Sequence, residues 1–207
     1  MLLRIRVATG CPRSGIIKNK DMDILTGFDR INNLSREDLI ELVDRDLSAL
    51  LARGSDDMQR LQSELEVAPK DPTLWFDMGV AANQAGLQYG MLAAERARLS
   101  NPDVEEIEYD DSGAMPLFRK AIDCFEQVLA LEPEYYGVRT QMGTVQANMH
   151  RLDEAVATLR RALEDDDEDF SAAYYLACAY RDLGDEELAE KYFRRAEELN
   201  EEGVGEA

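Results

Sequence analysis

Small side chains that return at a fixed interval constrain this chain more than any other feature. Ala121, Ala155 and Ala189 are separated by 34 and 34 residues, and the same interval links Phe125, Leu159 and Phe193, and again Val128, Ala162 and Ala196. Upstream in each unit, Met142-Gly143 stands 34 residues before Leu176-Ala177. One helical hairpin cannot bury its apolar face alone, so a period of this length describes hairpins stacked on copies of themselves. The residue types follow from that geometry. Antiparallel helices approach closely only where both side chains are small, so Gly143 should face Ala155, and Ala177 should face Ala189. Leu159 and Phe193, one turn later, fill the widening gap, while Ala162 and Ala196 admit the next hairpin. Gly184-Asp185 supplies a tight turn in the last unit, and His150-Arg151 a less ideal one before it.

On these residues the chain resembles the tetratricopeptide repeat family, most clearly over about 136–167 and 170–201. The unit before them is split. Its second helix runs from Leu117 to Leu131, with Ala121, Phe125 and Val128, and closes in Leu131-Glu-Pro133, similar to the family's terminal proline. Its first helix matches Pro72-Thr-Leu-Trp75-Phe-Asp-Met78-Gly79-Val-Ala-Ala82. Gly79 to Ala121 spans 42 residues where Gly143 to Ala155 spans 12, which places a 30-residue insertion at about 87–115. The first half of that insertion either extends the helix or forms a separate one; the second, 101–113, reads as an acidic loop. A competing register makes Pro72–Pro102 a complete, degenerate repeat with Glu95 at the gap-filling place.

Before the repeats, Ser35-Arg-Glu-Asp38 reads as a capped helix start. Leu39, Ile40, Leu42, Val43, Leu47, Leu50 and Leu51 then recur at helical spacing up to Arg53-Gly54. Ser55 caps a second helix that carries Met58, Leu61 and Leu65 and stops at Pro69. The expected fold is therefore all-α: a solenoid of about three hairpins over 71–201, preceded by a helical hairpin over 22–70. Residues 1–21 read as a basic arm or an extension upstream of Met22, and 202–207 as a flexible tail. Residues 1–20 hold five bases and no acid.

The net charge is −20, from 43 acids against 23 bases. That field repels phosphate backbones and anionic lipid, so neither nucleic acid nor membrane is an expected partner. No stretch approaches the roughly 20 unbroken apolar residues of a membrane helix, and a cytoplasmic location is expected. Three cysteines without paired spacing do not describe a disulfide framework. Cys124 and Cys178 read as small buried residues in helices, and the single His150 as exposed in a turn. The acidic run 164–169 lacks the alternating ligands and central glycine of a calcium loop and reads as a solvated turn between repeats. No phosphate loop, nucleophile motif or Cys/His metal spacing is present. No catalytic residue, cofactor or metal is expected, and the chain does not read as an enzyme; a site in the 87–115 insertion is the remaining enzymatic alternative.

What the family resemblance implies is binding of another protein, as a peptide or helix, in a groove lined by the first helices of successive hairpins. Position by position, the groove residues would be Phe76, Val80 and Asn83, then Thr140, Thr144 and Asn148, then Tyr174, Cys178 and Arg181. Some relatives clamp a carboxylate with Lys, Asn and Arg at such places; Phe76, Val80, Thr140, Thr144 and Tyr174 stand there here, so acidic tails are poor ligands. The expected role is an adaptor or scaffold, with an export or assembly chaperone for one client as the alternative. Leu188, Tyr192 and Leu199 at the far end of the repeat stack are expected to be partly exposed, which leaves self-association through the C-terminal hairpin as a further reading.

Overall fold

The computed structural model describes residues 34–103 and 112–205, with side chains to residue 200. The expected basic arm, the start of the 22–70 hairpin, the acidic loop at 104–111 and residues 206–207 lie outside the described residues. Among those described there are eight α-helices and no strand: α1 Arg36–Arg53, α2 Asp56–Val67, α3 Pro72–Ser100, α4 Met115–Leu131, α5 Val138–Asn148, α6 Leu152–Asp165, α7 Phe170–Leu183 and α8 Glu186–Gly205, with a short 3-10 turn at Ser112–Ala114. The fold is all-α, as the period required. The chain resolves into two compact units, Met1–Arg60 with Ala81–Leu117, and Leu61–Val80 with Phe118–Ala207.

In the first unit, α1 starts where the sequence says it should. The Asp38 amide donates to Ser35 Oγ at 3.1 Å, and the Ser35 amide donates back to Asp38 Oδ2 at 3.1 Å. This reciprocal box satisfies two amides that the first helical turn leaves without partners. Val43, Leu47 and Leu50 are buried along one stripe, but Leu51, expected with them, is exposed because it lies a further 100° round the helix. Gly54 (φ +70°) ends α1, and its amide donates to the Leu50 carbonyl at 2.8 Å. Arg36 donates to the carbonyls of Leu99 and Ser100, covering the end of α3, and Arg96 pairs with Asp44. Buried Glu95 is neutralised by Arg98 on the next turn, at 2.5 and 2.8 Å. The α3 helix is unbroken over 29 residues, so Leu87 to Ala97 continue it rather than forming a separate helix.

The second unit contains the tandem hairpins. Helix α5 packs on α6, α6 on α7, and α7 on α8, with α5 also touching α7. Ala155 (0% exposed) and Ala189 (2%) lie in a core with Leu159, Leu176 and Tyr180, and Ala177 is equally enclosed. In the helix pair α5/α6, the residue nearest Gly143 lies one turn beyond the expected one. A Cβ built on Gly143 would lie 2.5 Å from Leu159 Cγ, so the missing side chain makes room for Leu159, where Ala155 was expected to face it. Gly79 relates to Phe125 in the same way, with a built Cβ 2.5 Å from the ring.

Both inter-helix turns use a left-handed residue. Gly184 (φ +85°) ends α7, with the Asp185 amide donating to the Tyr180 carbonyl at 2.9 Å. His150 (φ +57°) does the same work after α5, with the Arg151 amide donating to Gln146. Ala173, Ala196 and Leu199 form a further buried cluster against Leu163 and Tyr174. Leu199 is thus covered, contrary to expectation, because α8 turns that side toward α7; Leu188 and Tyr192 are half-buried.

Candidate partner-binding groove

The residues expected to line a groove divide into two classes. Phe76, Val80, Tyr174, Cys178 and Arg181 are half-buried, whereas Thr140, Thr144 and Asn148 are buried within the second unit. Asn83 is buried within the first unit. Burial alters what these polar side chains can do. Thr144 Oγ1 donates to the Thr140 carbonyl one turn back at 2.8 Å, and Thr140 Oγ1 donates to Asp169 Oδ2 at 2.6 Å. These hydroxyls hold the backbone and a neighbouring loop, and leave less for a ligand. Asn148 has its own partner within the fold.

The aromatic members are locked by ring contacts. Phe76 lies 5.4 Å from Tyr135 and 5.8 Å from Phe125 between centroids. Tyr174 stacks on Phe170 at 6.0 Å and meets Phe193 edge-on at 5.8 Å, while the Arg181 guanidinium sits 5.9 Å above the Phe193 ring. Such pairs prefer offset or edge geometry at these separations, and they fix the side chains in place. Phe193, expected only to fill the gap between α7 and α8, therefore also braces Tyr174 and Arg181.

Two adjoining concavities of about 570 and 590 Å³ open beside these residues. They share Tyr135, Tyr136, Gly137, Thr140 and Asp169. One extends to Phe76, Gln141 and Ser171; the other reaches Arg139, Asp165 and Asp166. Most of the shared wall is Tyr135–Gly137, the end of a loop that Gly137 (φ +74°) turns into α5. Tyr136 projects from it, 73% exposed. Its phenol is raised above the ordinary value by local desolvation, then by the charges of Asp169 and Asp166, and Asp166 accepts its hydrogen bond.

The 164–169 run is not simply a solvated turn. Asp165 pairs with Arg139 at 2.8 Å, and Arg139 also donates to the Pro133 carbonyl at 3.2 Å, so one guanidinium ties both loops together. Asp169 caps α7, accepting from the Ala172 amide at 2.9 Å while its other oxygen receives Thr140. Sequence reasoning missed Tyr135, Tyr136 and Asp169 as residues lining these concavities. Two adjacent tyrosines between a closing proline and a glycine were the available signal, since a solvated linker has no need of aromatics.

Of the cysteines, Cys124 is buried and Cys178 half-buried. Burial, modified by Lys120 and Asp123, pushes the Cys124 thiol up to about 11, which makes it a poor nucleophile. Among the described residues no group of three or more His, Cys, Asp and Glu side chains is arranged to hold a metal, and no helix is long and apolar enough to cross a membrane.

Residues 117–179 match a family described as tetratricopeptide repeat, and residues 171–202 match a second of the same description. Residues 117–202 thus carry tetratricopeptide repeats. The repeats support a protein-interaction scaffold. No curated protein matches the chain. Solved structures of MamA are similar to it: one covers 80% of this chain and 95% of its own at 16% identity, with a TM-score of 0.42. A second, MamA from Desulfovibrio magneticus RS-1 from residue 41 to its end, covers 81% and 98% at 16% identity and a TM-score of 0.40. A third, MamA from MSR-1, covers 81% and 95% at 21% identity and 0.39.

Proposed function

We propose that this tetratricopeptide-repeat protein is a non-enzymatic adaptor that holds an extended or helical segment of another protein along the first helices of its hairpins. In this reading the start of α3 and helix α4 form one repeat interrupted by an insertion, consistent with the contact between Gly79 and Phe125. The observation that carries the proposal is the pair of joined concavities. Their walls draw Phe76 from α3, Thr140 and Gln141 from α5 and Ser171 from α7 onto one continuous surface, with Tyr136 standing exposed at its middle. Exposed aromatics flanked by fixed polar groups are the usual energetic centres of peptide recognition.

The half-buried members Phe76 and Tyr174 serve as the floor, because their ring contacts keep them from moving to meet a ligand. Tyr136 presents an exposed ring, tethered through its hydroxyl to Asp166. A photo-crosslinking amino acid placed at Tyr136, and separately at Arg161 on the exposed side of α6, tests this. Covalent capture of one discrete protein from Tyr136 but not from Arg161 is expected, and the reconstituted pair should dissociate with Tyr136→Ala while the melting temperature holds. Capture from Arg161 alone refutes the groove.

A further inference from the structure

The chemistry of the concavity beside Pro133–Gly137 narrows what the bound segment carries. Its lining brings Glu134, Asp165, Asp166 and Asp169 together with Tyr135 and Tyr136, and the neighbouring concavity adds Glu132. Among the described residues, Arg139 is the only base on either wall, and it is committed to Asp165 and the Pro133 carbonyl. Glu132 and Glu134 have no ion pair among the described residues. Asp169 cannot swing away, because Ala172 and Thr140 hold one oxygen each. The result is a cavity with fixed negative potential, one face of which is an exposed tyrosine ring.

An aromatic face beside carboxylates is complementary to one kind of group. A guanidinium lies flat on the ring through its quadrupole and donates several hydrogen bonds to the acids. A neutral or acidic side chain would lose hydration there without compensation. We infer that this notch receives an arginine side chain of the bound segment, so that the adaptor's partner presents a basic, arginine-bearing stretch. The inference rests on the groove reading and specifies its partner. The chain's net charge of −20 favours approach of the same kind of segment over longer range.

The test uses the full chain and two synthetic peptides, acetyl-Ser-Leu-Arg-Ala-Leu-Arg-Ser-amide and the same peptide with citrulline, which keeps shape and removes charge, in place of each arginine. Titration calorimetry at low and moderate salt is expected to give the arginine peptide about tenfold tighter binding, the combined size of one cation–π contact and exposed charge pairs. Asp166→Asn with Glu134→Gln should remove most of that preference, and Tyr136→Leu about two- to fivefold of it. Glu186→Gln with Glu187→Gln deletes two exposed charges on α8 and should leave it intact.

Equal affinity for both peptides overturns the inference. So does an equal loss in the α8 variant, which would make the effect general electrostatics. So does absence of arginine-peptide binding, as when residues 1–20 or a second copy already fill the notch. The two readings fail separately: capture from Tyr136 with no arginine preference keeps the groove and removes the cation site, while arginine preference with capture from Arg161 alone does the reverse.

Discussion

Gly143→Ala tests the packing on which the hairpin stack depends. The added Cβ would sit 2.5 Å from Leu159 Cγ and 2.9 Å from its Cδ2. Carbon atoms in good contact are about 3.5–4.0 Å apart, so one side must yield by roughly 1 Å. Leu159 is fully buried among Ala155, Leu176, Tyr180 and Ala189, and Cγ is its branch point, so displacing it carries both methyls into those neighbours. Overpacking of this kind costs about 1–3 kcal/mol, and a shift of this size belongs in the upper half. Alanine recovers up to about 1 kcal/mol over glycine inside a helix. The net expectation is a loss of about 1–2 kcal/mol, or roughly 2–8 °C in melting temperature for a chain of this size. Circular dichroism at 222 nm during a thermal scan measures it. Gly90→Ala in α3, where a Cβ meets nothing within 4 Å, should instead raise stability by about 0.5–1 kcal/mol. Leu159→Ala removes the obstructing atoms, so adding Gly143→Ala to it should cost nothing further. A Gly143→Ala chain as stable as the parent would mean that α5 and α6 do not approach there, and the close-packing argument fails.

His150 occupies the left-handed region that Gly184 fills in the next hairpin, so His150→Gly should raise stability by about 1 kcal/mol and the melting temperature by about 2–4 °C; an unchanged melt refutes strain at that turn. Cys124 should resist iodoacetamide at pH 8 while half-buried Cys178 reacts, because a thiol at about 11 is ionised to only about one part in a thousand there. The same shift sets a sign. The raised thiol contributes stability fully below the ordinary value of 9.0 and loses it as pH rises toward about 11, since the unfolded chain releases its proton first. Urea midpoints should therefore fall over that range, and less steeply in Cys124→Ala; parallel slopes in the two proteins would count against it.

The candidate groove was only partly legible in the residues. Phe76, Tyr174 and Arg181 are half-buried on the second unit, but the repeating register could not tell that Thr140, Thr144 and Asn148 would be enclosed. Small polar residues fit equally well on an open face or inside, and the choice depends on what packs over them. Asp169 shows the difficulty from the other side. Within a run of six acids it looks like solvent-facing charge, yet it closes a hydrogen bond to a threonine 29 residues away.

The sequence by itself determined the hairpins over 117–202, since a helix pair is local in the chain and the requirement for small residues at its crossing is written at a constant interval. Ser35, Ser55 and Gly184 likewise mark helix ends through bonds that span only a few residues. Tertiary structure alone decided where a cavity opens, because its walls come from an inter-repeat loop, a helix cap and three different helices. No pattern along the chain encodes the distance between Tyr136 and Asp166; it follows from how Gly137, Arg139 and Thr140 draw two loops together once the helices have packed.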